Sequence, residues 1–136
     1  MPYSGRRARL IMNLVQRSVF NSEIAQAKSL IATGDLGAGF AHLERAHVIG
    51  QAFVVPHVTT HCLMLQVELR RRRPAAVLGQ GIRIVLGALG SAVGVVPTGN
   101  TGGTNISMFK RMPIDTELQS IIDGRAPSED ARRLNS

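Results

Sequence analysis

A chain of 136 residues and 14.6 kDa is long enough to bury a core as one domain, and its single cysteine, Cys62, excludes an internal disulfide. With 44% apolar, 18% charged and 4% aromatic side chains, it has the composition of a folded domain with an aliphatic core, not of a disordered segment. The net charge of +7, from 14 arginines and two lysines against nine acids, suits phosphates, anionic lipids or an acidic protein partner, but the basic residues are scattered over separate segments without a base-reading motif, which argues against nucleic acid.

The opening MPYSGRRARLIMNLVQRSVF has a basic start and an apolar continuation, yet Asn13, Gln16 and Arg17 interrupt the apolar part and no small-residue cleavage site follows. It reads as an amphipathic helix over 5–19 with Leu10, Ile11, Leu14, Val15 and Val19 inward, and the protein as cytoplasmic. Asn21 and Ser22 look like a cap for a second stretch, SEIAQAKSLIAT, which could equally continue the first. Gly34 followed by Asp35 is a helix stop and a helix start, since glycine accepts a left-handed conformation and aspartate accepts from free first-turn amides. LGAGFAHLERAHVIG then forms a helix to about Gly50, and the pair resembles one tetratricopeptide-type helical hairpin without its repetition.

Pro56 suits the first turn of the next helix, which runs to about Arg70 with four arginines at its basic end, before Pro74. Residues 75–97 are apolar enough to suggest a membrane, but Gln80 and Arg83 fall in their middle; a buried helix over 75–89 with Leu78, Ile82, Val85 and Leu89 as its stripe is the expected outcome, with no membrane insertion. The following GSAVGVVPTGNTGGTNISMFKRMP is too rich in Gly, Pro, Asn and Thr for a regular element, although residues 93–96 could be a short extended piece. Asp115 caps a last helix carrying Leu118, Ile121 and Ile122 and stopped by Gly124. The expected architecture is all-α: a bundle of four to five helices over residues 1–124 with an irregular Gly-rich C-terminal segment, then a flexible tail at 125–136.

All four histidines lie within residues 42–64. On the helix ending at Gly50, Leu36, Phe40, Leu43 and His47 share a stripe, and Glu44 precedes His47 by three residues, the Glu-x-x-His spacing with which bundles present a carboxylate and an imidazole to one ion. On the next helix His57 and His61 are one turn apart and so converge, in a stripe with Met64 and Glu68 beside an apolar one of Val58, Cys62, Leu65 and Leu69. An antiparallel hairpin turning near 50–55 brings His47 level with His57, and Glu44 level with His61. The expected ligands are His47, His57, His61 and Glu44, for a transition metal ion such as zinc, copper, iron or nickel.

His42 points about 140° away from His47 around the helix, and with Met64, Cys62, Glu68 and Gln51 it is held in reserve as a further ligand or as a partner of the ligands. The competing reading makes the histidines satisfied core residues, with Glu44 paired to Arg83 or Arg45 and Met64 simple packing. Cys62 lies on the apolar stripe, away from His61, and reads as buried and unreactive. No nucleophile with a base is evident, so binding is favoured over catalysis, and a metalloenzyme with an open coordination position is kept as the weaker reading. TGNTGGTN lacks the lysine of a phosphate-binding loop and reads as a cover, with Asn100, Thr101 and Asn105 closing over the histidines.

The motifs HLERAHVIGQ, PHVTTHCLML and VPTGNTGGTNISMF together make the chain resemble, over residues 24–122, a small bacterial family catalogued as a domain of unknown function. Genes of that family tend to lie near heavy-metal resistance determinants, so the resemblance agrees with the metal reading, with metal homeostasis as the expected setting. The alternative from another class is a tetratricopeptide-like interaction module with a basic surface and no metal.

Overall fold

The computed structural model of the chain describes residues 11–93, 100–103, 106 and 110–125. Among these are five helices and no strand: α1 Leu14–Thr33, α2 Leu36–Gly50, α3 Val54–Arg70, α4 Pro74–Ala92 and α5 Thr116–Ile122. They pack as two helical hairpins, α1 with α2 and α3 with α4, joined where α2 meets α3; α5 closes the end formed by α1 and α2. The all-α bundle expected from the sequence is the observed fold.

α1 is one continuous helix, so Asn21 and Ser22 are exposed mid-helix residues and not a cap. The cap is Asn13, whose Oδ1 accepts from the Gln16 amide at 2.8 Å and whose Nδ2 donates to the Ile122 carbonyl at 3.0 Å, tying the start of α1 to the end of α5. The inward face differs from the expected one only in part: Val15 and Val19 do pack against the core and Leu10 lies outside the described residues, but Ile11 and Leu14 are exposed, and Gln16, Phe20 and Glu23 are buried on the face that continues through Ala27 and Ile31. Two polar groups are tolerated there because they are bonded. Gln16 donates to the Ile49 carbonyl at 2.7 Å, and Glu23 accepts from Arg45 Nε at 3.0 Å and contacts His42 Nδ1 at 2.6 Å.

The stop and start at Gly34 and Asp35 are as read from the sequence. Gly34 has φ 91°, and Asp35 Oδ1 accepts from the Ala38 amide at 3.0 Å. Pro56 lies in the first turn of α3, where its missing N–H is no loss. Asp115 caps α5 through the Glu117 amide at 2.9 Å. Apolar side chains fill two clusters, one of Phe20, Ala46, Ile49, Leu118 and Ile121 between α1, α2 and α5, the other of Ile31, Phe40, Leu43, Met64 and Val67 between α1, α2 and α3.

The second hairpin corrects the sequence reading most. Leu78, Ile82, Val85 and Leu89, expected inside, are 67%, 47%, 61% and 61% exposed. α4 instead packs through Ala76, Gln80 and Arg83, which are buried, and through Gly87, which lies against His57. α3 behaves alike: His57, His61, Met64 and Glu68 are buried while Cys62 and Leu69 are exposed, so the expectation of a buried Cys62 is overturned. Periodicity found the stripes, but hydrogen bonding decided which stripe faces in. Of the four arginines ending α3, Arg70 donates to the Ile31 carbonyl at 2.8 Å, and Arg71 donates to Glu68 at 3.0 Å and stacks its guanidinium over Phe40. Arg72 and Arg73 remain exposed. No helix among the described residues is long and apolar enough to cross a membrane.

Candidate metal centre

Three of the four histidines meet. His47 on α2 and His57 with His61 on α3 are 3%, 5% and 3% exposed, and one ring nitrogen from each lies within 4.8 Å of the others. The ring centroids are 4.7 Å apart for His47–His57 and His47–His61 and 5.0 Å for His57–His61. The one-turn spacing of His57 and His61 brings their rings together, and the α2–α3 packing brings His47 to both rather than to His57 alone.

The outer nitrogens are held by partners that fix the ring protons. His47 Nδ1 is 2.8 Å from the Asn100 carbonyl oxygen, which can only accept, so His47 donates through Nδ1–H. Gln80 Nε2 donates to the Gly102 carbonyl at 3.1 Å. That turns Gln80 Oε1 toward His61 Nδ1 at 2.8 Å, and His61 too must be the donor. A neutral imidazole protonated at Nδ1 keeps its lone pair at Nε2. The Nε2 atoms of His47 and His61 face each other at 3.1 Å.

Two lone pairs at that distance repel unless a proton or another cation is shared between them, and the surroundings oppose the proton. Burial, then the neighbouring His61 and His57, hold His47 well below the usual imidazole value, despite the bond to Asn100. Burial lowers His57 to about 4. It also lowers His61 to about 4, with Gln80 opposing and His57 and Arg83 assisting. At neutral pH the triad is therefore uncharged and offers nitrogen lone pairs.

Glu44 stands outside this group. Its carboxylate is bonded by Thr101 and packed against Gly103, where a Cβ would overlap it; burial raises its pKa, opposed by the Thr101 bond and by Arg71. The pairings considered for it do not form, because Arg45 bonds Glu23 and Glu117 and Arg83 donates to the Ile106 carbonyl. His42 faces α1 and bonds Glu23, on the other side of α2 from His47. Met64 is fully buried in the apolar cluster, Cys62 is on the outer face, and Glu68 is buried beside Arg71. Gln51 is buried just past the end of α2.

Of the three residues expected to close over the histidines, Asn100 meets His47 through its carbonyl, Thr101 bonds Glu44, and Asn105 lies outside the described residues. Asn100, 2% exposed, is pinned by its own side chain, which accepts from the Gly102 amide at 2.9 Å and donates to the Lys110 carbonyl at 2.7 Å. Gly102 has φ 73°, and a Cβ there would come within 2.8 Å of the His47 ring. Sequence reasoning missed Gln80, Gly102 and Gly87. The available signal was the series Ala76, Gln80, Arg83, Gly87, small or polar at helical spacing within an otherwise apolar helix.

The chain matches the model of a family described as protein of unknown function (DUF3703) over residues 15–122. It belongs to that family. No curated protein and no solved structure matches it. The match spans all five helices except the first residue of α1, so the histidine triad and the Asn100–Gly102 cover fall within the family's domain.

Proposed function

We propose that His47, His57 and His61 bind a transition metal ion and that this member of DUF3703 serves metal homeostasis as a carrier or accessory protein. The observation that carries the reading is the pair of Nε2 lone pairs, 3.1 Å apart, aimed at one another by Nδ1–H bonds to Asn100 and Gln80. This is the arrangement in which metal-binding imidazoles are oriented through their second nitrogen. Nitrogens bound to one tetrahedral zinc at about 2.0–2.1 Å are roughly 3.3 Å apart, close to the 3.1 Å between His47 and His61, and a His57 nitrogen lies within 4.8 Å of both. Three neutral imidazoles suit Zn²⁺, Cu²⁺, Ni²⁺ or Fe²⁺. The thioether of Met64 packs in the apolar cluster and the thiol of Cys62 faces outward, which takes away the soft donors that copper(I) would favour.

Glu44 serves beside the metal rather than on it, holding Gly103 and Thr101 of the cover, and Glu44→Gln is expected to leave zinc affinity within about threefold of wild type. The testing experiment is calorimetric titration of the metal-free chain with Zn²⁺, Cu²⁺ and Ni²⁺, with the bound metal counted by elemental analysis. One equivalent per chain is expected for at least one ion, abolished in His57→Ala/His61→Ala. No heat and no change in melting temperature with any of them would sink the proposal. The second reading, an interaction module without metal, keeps one observation in its favour: Arg72 and Arg73 are exposed at the α3–α4 corner. It requires salt-sensitive capture of an acidic partner that survives the histidine substitutions and fails when these arginines are neutralised.

A further inference from the structure

The α3–α4 hairpin is packed with its polar side inward, and the apolar side chains left over have gone to the surface. Leu69, Leu78, Ile82, Val85, Leu86, Leu89 and Val93 are between 46% and 74% exposed. They form one patch on the order of 700 Å², above the roughly 300–600 Å² of the largest patch on a monomer and close to the roughly 800 Å² that each partner contributes to a stable interface. The patch has relief. Leu65, Leu78, Ile82, Val85 and Leu86 line a shallow, open groove of about 610 Å³ together with Gly81, where nothing lies within 4 Å of the Cβ position. From Pro74 to Ala92 the only charged side chain is Arg83, and it is buried on the opposite face.

We infer that this face pairs with the same face of a second copy of the chain. Charge is confined to Arg72 and Arg73 beside Leu69 and Leu78 at one end, and the rest of the face gives a charged partner nothing to select, whereas a two-fold axis through the apolar part makes it complement itself. Antiparallel crossing of the two α4 helices sets Leu78 of one copy near Val85 of the other, and the two α3–α4 hairpins become a four-helix bundle. It also keeps the two clusters at Arg72 and Arg73 at opposite ends of the interface, so like charges stay apart. The chain's own ends are poor occupants. Residues 1–10, MPYSGRRARL, and 126–136, APSEDARRLNS, are polar and arginine-rich, without an apolar run to fill the groove.

The test is light scattering coupled to gel filtration on the full chain at roughly 5–200 μM, under reducing conditions so that a Cys62 disulfide cannot contribute. The expected mass is twice 14.6 kDa, and Leu78→Glu/Val85→Glu is expected at 14.6 kDa with an unchanged helical circular-dichroism spectrum. The milder Leu78→Ser, at a position 67% exposed, is expected to remain folded and to raise the dimer dissociation constant at least tenfold, which serves if the charged variant misfolds. A wild-type monomer at the highest concentration overturns the inference, as does a dimer that both variants leave intact. So does a monomer that sediments with phosphatidylcholine–phosphatidylglycerol vesicles, which would make the face a lipid surface. A monomer that dimerises only after removal of residues 1–10 or 126–136 would instead assign the face to the chain's own ends.

Discussion

Gln80→Leu separates the metal account from ordinary packing. Gln80 is fully buried and bridges His61 Nδ1 at 2.8 Å and the Gly102 carbonyl at 3.1 Å. Leucine has a similar size but neither bonding group, so the substitution leaves one buried donor and one buried acceptor unsatisfied. At about 1–3 kcal/mol each, less the apolar gain of the leucine, the metal-free protein should lose about 2–4 kcal/mol in urea unfolding. That is a large part of the roughly 5–15 kcal/mol of a small domain. Without its acceptor, His61 is also free to take the other tautomer, which puts a proton on Nε2 and removes the lone pair from the site. Loss of such a ligand-orienting contact costs about 10–100-fold in metal affinity. Competition of the protein with a chromophoric chelator for zinc reads this directly. If Gln80→Leu loses stability but keeps wild-type zinc affinity, Gln80 is a packing strut and the reasoning from tautomers fails. If neither changes, the bonds to His61 and Gly102 do not exist in solution.

Stability of the metal-free protein should fall in mild acid. His57 and His61 have folded-state values near 4, below the unfolded imidazole value near 6.5, so their contribution is whole above about pH 6.5, is lost as pH falls, and levels off below about 4. The loss is on the order of 3 kcal/mol for each across that window, measurable as urea midpoints between pH 7.5 and 4; a flat profile would place the rings in water. Gly102→Ala pushes a Cβ toward the His47 ring at a φ of 73°, and about 1–3 kcal/mol of stability and a measurable part of the zinc affinity should go with it. Glu23→Ala removes the carboxylate that holds His42 and Arg45, and should cost about 1–3 kcal/mol in thermal or urea unfolding while leaving zinc affinity untouched.

Local punctuation in this chain was legible because it depends on neighbours in sequence. Gly34 with Asp35 and Asp115 with Gly124 close and open helices as expected. Likewise, the 100° advance per residue separates His42 from His47 and joins His57 to His61, whatever the rest of the fold does. The orientation of α3 and α4 was not legible. Hydrophobic periodicity assumes that apolar stripes win the interior, and here Gln80, His47 and His61 hold it because each finds a partner remote in sequence: Gln80 and His61 are 19 residues apart, Gln80 and Gly102 are 22, and His47 and Asn100 are 53. Glu44 at i−3 of His47 met the spacing rule but not the geometry, since Thr101 and Gly103 meet its carboxylate first.

Long-range proton–nitrogen spectra of the imidazoles, recorded while zinc is titrated into ¹⁵N-labelled protein at neutral pH, test the metal site most directly. Metal-free protein should show His47 and His61 protonated at Nδ1. One equivalent of zinc should then shift one nitrogen of each of His47, His57 and His61, the Nε2 atom in His47 and His61, and leave His42, bonded to Glu23, unmoved. Imidazole resonances that ignore zinc, or a response at His42 instead of the buried triad, would contradict the account.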